Sequence, residues 1–163
     1  MLTEKEKMVS GRLYDASDPD LRRMHLRARR LCGEFNAIGN GDEEKGRALL
    51  LQLFGRTVER FQIVPPFHCD YGWNIEVGEN FYANTGCVIL DVGPVRIGRD
   101  VKFGPYVQIY TACHPVDPDD RRSGLEMGHS ISIGENVWIG GGTVVNPGVS
   151  IGRDTVIGSG SVV

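Results

Sequence analysis

The sequence has no C-x-x-C pair, no excess of basic charge and no long uncharged apolar run, and each gap removes a class of function. Its four cysteines, Cys32, Cys69, Cys87 and Cys113, stand far apart, which fits reduced thiols better than a zinc site or a disulfide framework. The net charge of -3 gives no basic field for nucleic acid. No stretch approaches the ~20 apolar residues of a membrane span. "MLTEKEKMVSGRLYD" has no signal-peptide core, so a cytoplasmic location is expected. The glycine run Gly140–Gly142 is not followed by G-K-[ST], so it is no P-loop.

What is present divides at Pro65-Pro66. Upstream, "SDPDLRRMHLRARRLCGEF" reads as a helix capped by Ser17, with Pro19 in its first turn and Leu21, Met24, Ala28 and Leu31 at helical spacing. "NGDEEKGRALLLQLFG" reads as a second helix opened by Asn40-Gly41-Asp42, with Leu49, Leu50, Leu53 and Phe54 as its apolar face. A short helix is expected near Thr3–Val9. Residues 1–60 are thus expected to form a helical cap segment and residues 61–163 a second domain.

In that second part Ile133, Ile139, Val145, Ile151, Ile157 and Val163 fall six apart. Gly134, Gly140, Gly152 and Gly158 each follow one of them, and Asn146 takes the slot once. Val137, Thr143, Val149, Thr155 and Ser161 make a parallel series. Ile97, Phe103 and Ile109 repeat the register upstream. Val77, Ala83 and Ile89 do so again, offset by two residues. A period of six is neither helical nor strand alternation. It describes a short strand and a corner, with the glycine or asparagine expected to supply the corner's backbone freedom. Units this small must stack, so the repeat predicts an all-β core in the form of a parallel β-helix. Between Ile109 and Ile133 the rhythm stops. "TACHPVDPDDRRSGLEMGHS", near residues 111–130, is polar and should protrude as a loop.

Three segments carry a likeness: "GRLYDASDPDL", "PPFHCDYGWNIEVGENFYANTGCVILDVGPVRIG" and "IYTACHPVDPDDRRSGLEMGHSISIGENVWIGGGTVVNPGVSIG". With them the chain resembles the hexapeptide-repeat acyltransferases, and within these the maltose, galactoside and nodulation sugar O-acetyltransferases, nearest to the maltose branch. The resemblance implies a left-handed β-helix with eighteen residues per coil, and a homotrimer with active sites between subunits. It implies acetyl-CoA as cosubstrate, a sugar as acceptor and no metal. It also implies residues beyond "GSGSVV" that complete the coenzyme site, so the end at Val163 is expected to be a truncation or an end covered by another subunit.

The loop's His114 is the expected general base, because imidazole takes a hydroxyl proton near neutral pH. The resemblance assigns the same role to the histidine of "HP". His25, His68 and His129 have no comparable setting. Glu126, at the far end of the loop, is expected to orient His114, with a solvated loop carboxylate as the plain alternative. An acyl intermediate on Cys113 is disfavoured, because adjacent residues of an extended segment point to opposite sides. By resemblance Asn84 belongs to the reaction centre, and Asp15, Tyr82, Asp91 and Met127 to acceptor binding. Val92 stands where the galactoside branch carries a second acid, which favours maltose- or glucose-like acceptors. Trp138, Gly140, Gly141, Gly142, Gly158 and Ser159 are expected along the coenzyme slot, where glycines remove bulk and offer amides. The leading expectation is direct transfer to a sugar 6-hydroxyl. The alternatives are another hydroxyl acceptor (a galactoside, an oligosaccharide, serine or an antibiotic), a zinc enzyme of the same fold, and a non-catalytic scaffold.

Overall fold

The computed structural model describes residues 1–39 and 41–163. Asn40, part of the expected opening of the third helix, lies outside them. Helix α1 (Glu4–Val9) starts on a capping box in which Thr3 and Glu6 satisfy each other's backbone amides. Helix α2 (Pro19–Ile38) is capped by Asp18, whose carboxylate accepts from the amides of Asp20 and Leu21. The expected cap, Ser17, is one residue too early. Its own amide donates to Asp15 Oδ1, and Pro19 takes the first helical position, where a missing N–H costs nothing. Helix α3 (Glu43–Leu53) is capped by Asp42.

Strands then follow in coils. β1 (Phe61–Ile63), β2 (Phe67–Cys69) and β3 (Ile75–Val77) form the first, and β4 (Phe81–Ala83), β5 (Cys87–Leu90) and β6 (Val95–Ile97) the second. The third holds β7 (Lys102–Phe103) and β8 (Gln108–Tyr110). It then detours through β9 (Ala112–Cys113), α4 (Pro118–Arg122) and β10 (Met127–Gly128) before closing with β11 (Ile131–Ile133). The fourth is β12 (Trp138–Ile139), β13 (Val144–Val145) and β14 (Ser150–Ile151), and β15 (Val156–Ile157) opens a fifth. Three parallel sheets result: β1-β4-β7-β12-β15, β2-β5-β8-β13 and β3-β6-β11-β14. The chain is a parallel β-helix with an N-terminal helical segment.

From Ile133 to Ile151 the six-residue series is the interior. Ile97, Ile133, Ile139 and Val145 are buried in one continuous core with Phe103 and Ile109, and Phe103 meets Phe81 edge-on at 5.1 Å. Helices α2 and α3 cover the start of this core with Leu31, Phe35, Leu50 and Leu53. The offset seen in the sequence is real. Val77 pairs with Ile97, twenty positions on, whereas Ile133 pairs with Ile151, eighteen on. The two extra residues lie at the corner between the second and third sheets, in Asp70–Asn74 and again in Asp91–Pro94. The polar loop leaves from that same corner, and above it Ile97 pairs with Ile133 across thirty-six positions.

One expectation about the corners is corrected. The glycine after each inward residue does not supply the left-handed backbone. That conformation falls two positions later, at Asn80, Asp100, Asn136 and Asp154 and at Gly142 and Gly160. The repeat glycine answers instead to the neighbouring coil: a Cβ on Gly140 would stand 2.5 Å from the amide nitrogen of Ser159, and one on Gly134 2.6 Å from that of Arg153. The left-handed positions are tied in stacks, Asn80 Nδ2 donating to Asp100 Oδ1 (2.8 Å) and Asn136 Nδ2 to Asp154 Oδ1 (2.9 Å).

Candidate active site

The polar loop is a hairpin. β9 and β10 pair antiparallel with Cys113 opposite Met127 and Ala112 opposite Gly128. The ladder ends at Cys113 and Met127: His114 follows Cys113 directly and Glu126 precedes Met127, so the two flank the last pair of the hairpin. Past His114 the chain turns at buried Pro115, and Arg121 donates to the carbonyls of Pro115 (3.2 Å) and Val116 (2.8 Å), closing the tip over α4. His114 is exposed, and its imidazole makes no hydrogen bond among the described residues.

Glu126 is held from the other side. Tyr14 and Glu126 exchange both backbone hydrogen bonds, at 3.0 and 3.1 Å, and the Tyr14 hydroxyl donates to Glu126 Oε2 at 2.9 Å. The expected bond from Glu126 to His114 is therefore not the one the carboxylate makes. Its partner is a phenol from the helical segment, 112 positions away. Sequence reasoning passed over Tyr14. Its only local signal is an aromatic beside Asp15 outside any helical period, a weak pointer to a residue buried by distant chain. Tyr14 is 1% exposed, in a second core with Met8, Leu21, Tyr71 and Val92. Burial and the neighbouring carboxylate push its phenol far above the ordinary value, so it stays a donor.

Asp15 follows Tyr14 and is exposed. Hydrogen bonding by Ser17 holds its carboxyl below the usual range. Met127 lies half-buried on β10. Asp15, Glu126, Met127 and His114 are thus gathered on one ribbon. Cys113 is half-buried and its thiol is pushed up by burial, which makes a poor nucleophile. Close by, His25 Nε2 stands 3.6 Å from Asp70 Oδ1, and burial raises the Asp70 carboxyl.

Asp91 is placed differently from expectation. It is fully buried, and its carboxylate accepts from the amides of Asp70 (3.1 Å), Tyr71 (2.8 Å) and Asn74 (3.3 Å). Asn74 Nδ2 in turn donates to the carbonyls of Asp91 and Val92. Within this chain Asp91 ties the long corner beneath the loop and presents no oxygen to an acceptor. An acid ending a strand at a corner looks the same in sequence whether it serves a ligand or the turn.

Tyr82 and Asn84 are not brought to His114 within one chain. Tyr82 lies on β4 in an outward row with Lys102 and Trp138, the latter 56% exposed. His114 leaves the corner opposite that sheet. Asn84, just after β4, turns its side-chain oxygen back onto the amide of Thr85 at 2.8 Å. Of the expected coenzyme amides, those of Gly140 and Gly142 are spent between coils, donating to the carbonyls of Ile157 and Pro105 at 2.8 Å. The Gly141 amide makes no hydrogen bond among the described residues. Gly158 and Ser159 lie exposed one coil on.

No helix of the described residues is long and apolar enough to cross a membrane, and among these residues no three His, Cys, Asp or Glu side chains gather as a metal site would.

Comparison with known proteins returns two family matches: the maltose acetyltransferase hexapeptide capping motif over residues 7–57, and the bacterial transferase hexapeptide (six repeats) over residues 130–163. Nodulation protein L of Rhizobium meliloti (strain 1021) is 46% identical over 147 residues, covering 90% of this chain and 80% of its own. The crystal structure of a maltose O-acetyltransferase from Clostridium difficile 630 superposes with a TM-score of 0.98 at 48% identity, covering 99% of this chain and 87% of that one. A galactoside acetyltransferase in complex with coenzyme A superposes with a TM-score of 0.93 at 37% identity, covering 98% and 80%.

Proposed function

The chain belongs to the hexapeptide-repeat acetyltransferases that carry the maltose acetyltransferase cap, and from that membership we propose that it transfers an acetyl group from acetyl-CoA to a sugar hydroxyl, with His114 as general base. Acetyl-CoA is the donor. The observation that carries the residue assignment is the exposed imidazole of His114, without a hydrogen-bond partner among the described residues, on a hairpin held by the cap.

A free alcohol attacks a thioester slowly until its proton leaves. In this reading His114 takes the proton of a primary 6-hydroxyl as the oxygen bonds to the thioester carbonyl carbon. The tetrahedral oxyanion is met by amide donors, for which the Gly141 N–H, without a partner among the described residues, and the Asn84 side chain are the candidates. Collapse breaks the carbon–sulfur bond, and the imidazolium returns its proton to the departing CoA sulfur. No acyl-enzyme is needed, because the thioester is already activated.

His114 lies at the corner opposite the row of Tyr82 and Trp138, so one chain supplies the parts on opposite sides of its prism. A homotrimer, in which the loop of one copy meets the face of the next, brings them together. Val92, standing where the galactoside branch carries a second acid, supports a glucosyl rather than a galactosyl acceptor.

The test is CoA release from acetyl-CoA with maltose, glucose, galactosides, serine and chloramphenicol, with His114→Ala run beside the wild type. Release that requires a sugar and falls at least about 100-fold in the variant is the expected result. Release that survives in the variant overturns the base assignment, and release only with serine or chloramphenicol overturns the acceptor class.

A further inference from the structure

We propose that Tyr14 is a positioning residue for acetyl transfer, whose phenol fixes one oxygen of Glu126 so that the other is kept for the imidazole of His114. This rests on the reading of His114 as the base.

Three separate stretches of chain meet at this hairpin. Tyr14 comes from the segment between α1 and α2, Glu126 stands just before β10, and His114 just after β9. Tyr14 and Glu126 form a hydrogen-bonded antiparallel pair, and Glu126 and His114 flank the Cys113–Met127 pair that ends the β9–β10 ladder. Residues directly opposite in such a ladder project to the same face. The phenol is thus bonded to the carboxylate, and the segment that carries the imidazole lies on the adjacent strand of the same hairpin.

The division of the carboxylate matters. Oε2 receives the Tyr14 hydroxyl at 2.9 Å, while Oε1 has no partner among the described residues. A carboxylate held by one donor has lost its rotation and presents its second oxygen in a fixed direction. An imidazole N–H bonded there would be fixed in tautomer and stabilised as the imidazolium. Tyr14 itself is clamped by Met8, Leu21, Tyr71 and Val92, so it is a rigid donor. The other ionisable groups whose charges bear on this cluster are Asp70 and Tyr71, on the corner beneath it. The helical segment thus becomes a wall of the active site rather than only a lid on the first coil.

The experiment compares Tyr14→Phe, Glu126→Gln, the double variant and His114→Ala in the full chain. Phenylalanine keeps the packing and removes only the hydroxyl. The expected result for Tyr14→Phe is a fall of about tenfold in kcat, with KM for acetyl-CoA and Tm little changed. In the Glu126→Gln background the same change should add little, since its action passes through the carboxylate. The His114 imidazole titration, followed by NMR and assigned with His114→Ala, should move in Tyr14→Phe. That readout needs no turnover and does not respond to packing alone. Losses that simply multiply in the double variant, or an unmoved His114 titration, overturn the proposal and leave Tyr14 a core residue. An active His114→Ala instead brings down the base assignment beneath it, so the two failures are distinguishable.

Discussion

Alanine placed at three glycines should give three different outcomes, including a change of sign. At Gly33, exposed within α2, a new Cβ meets nothing within 4 Å. The substitution reduces the freedom of the unfolded chain and should stabilise by about 0.5–1 kcal/mol. At Gly142 there is also open space, but φ is +69°, which costs an L-residue about 1–2 kcal/mol and is partly offset by the same unfolded-state effect. At Gly140 the backbone is ordinary, but the Cβ would lie 2.5 Å from the Ser159 nitrogen and 2.8 Å from its Cα. The next coil must shift, at about 1–3 kcal/mol for overpacking. Guanidinium titration resolves these values: a loss of 2 kcal/mol moves the midpoint by roughly 0.5 M for a slope of about 4 kcal/mol/M. Gly140→Ala should be the least stable and Gly33→Ala more stable than the parent. A Gly140→Ala protein as stable as the parent would refute the claim that the repeat glycine exists to let coils approach.

Two further perturbations test the core and the corner. Phe103→Ala empties a side chain that is 1% exposed and packed edge-on against Phe81, and should cost about 3–5 kcal/mol by thermal or chemical unfolding. A loss under about 1 kcal/mol would mean that neighbouring coils collapse into the space. Burial pushes the Asp91 carboxyl up to about 7 in the folded chain, against about 3.9 in an unfolded one. The folded state holds the extra proton between those values, so stability should fall as pH rises from about 4 to about 7 and level off above. Asp91→Asn, which keeps an oxygen for the amides of Asp70 and Tyr71, should flatten that slope in denaturation series from pH 4.5 to 7.5. An equally steep slope in the variant would place its origin elsewhere.

The fold was legible because a six-residue period has few physical solutions, and the residues that carry it from Ile133 to Ile151 are buried. The function of the repeat glycine was not legible. Corner freedom and close approach both select glycine, and only the coil above distinguishes them at Gly134 and Gly140. Ser17 and Asp18 are both good caps, and the choice turned on which residue leaves Pro19 at the first helical position. In the candidate site, the loop and His114 stood out because they interrupt a rhythm. Tyr14 did not, because its partner is 112 positions away and no period links them. Asp91 looked available because sequence shows that an acid is present but not how many backbone amides already point at it.

The loop's place in the ladder has a consequence for how freely it can change. Strand β6 pairs with β11 as though the eighteen intervening extra residues were not there. Doubling the span of chain to be closed costs only about 0.6 kcal/mol of loop entropy. The prism is therefore almost indifferent to what is threaded out at that corner. A longer or shorter tip, inserted beyond the hairpin that carries His114 and Glu126, should be tolerated without disturbing the strands on either side.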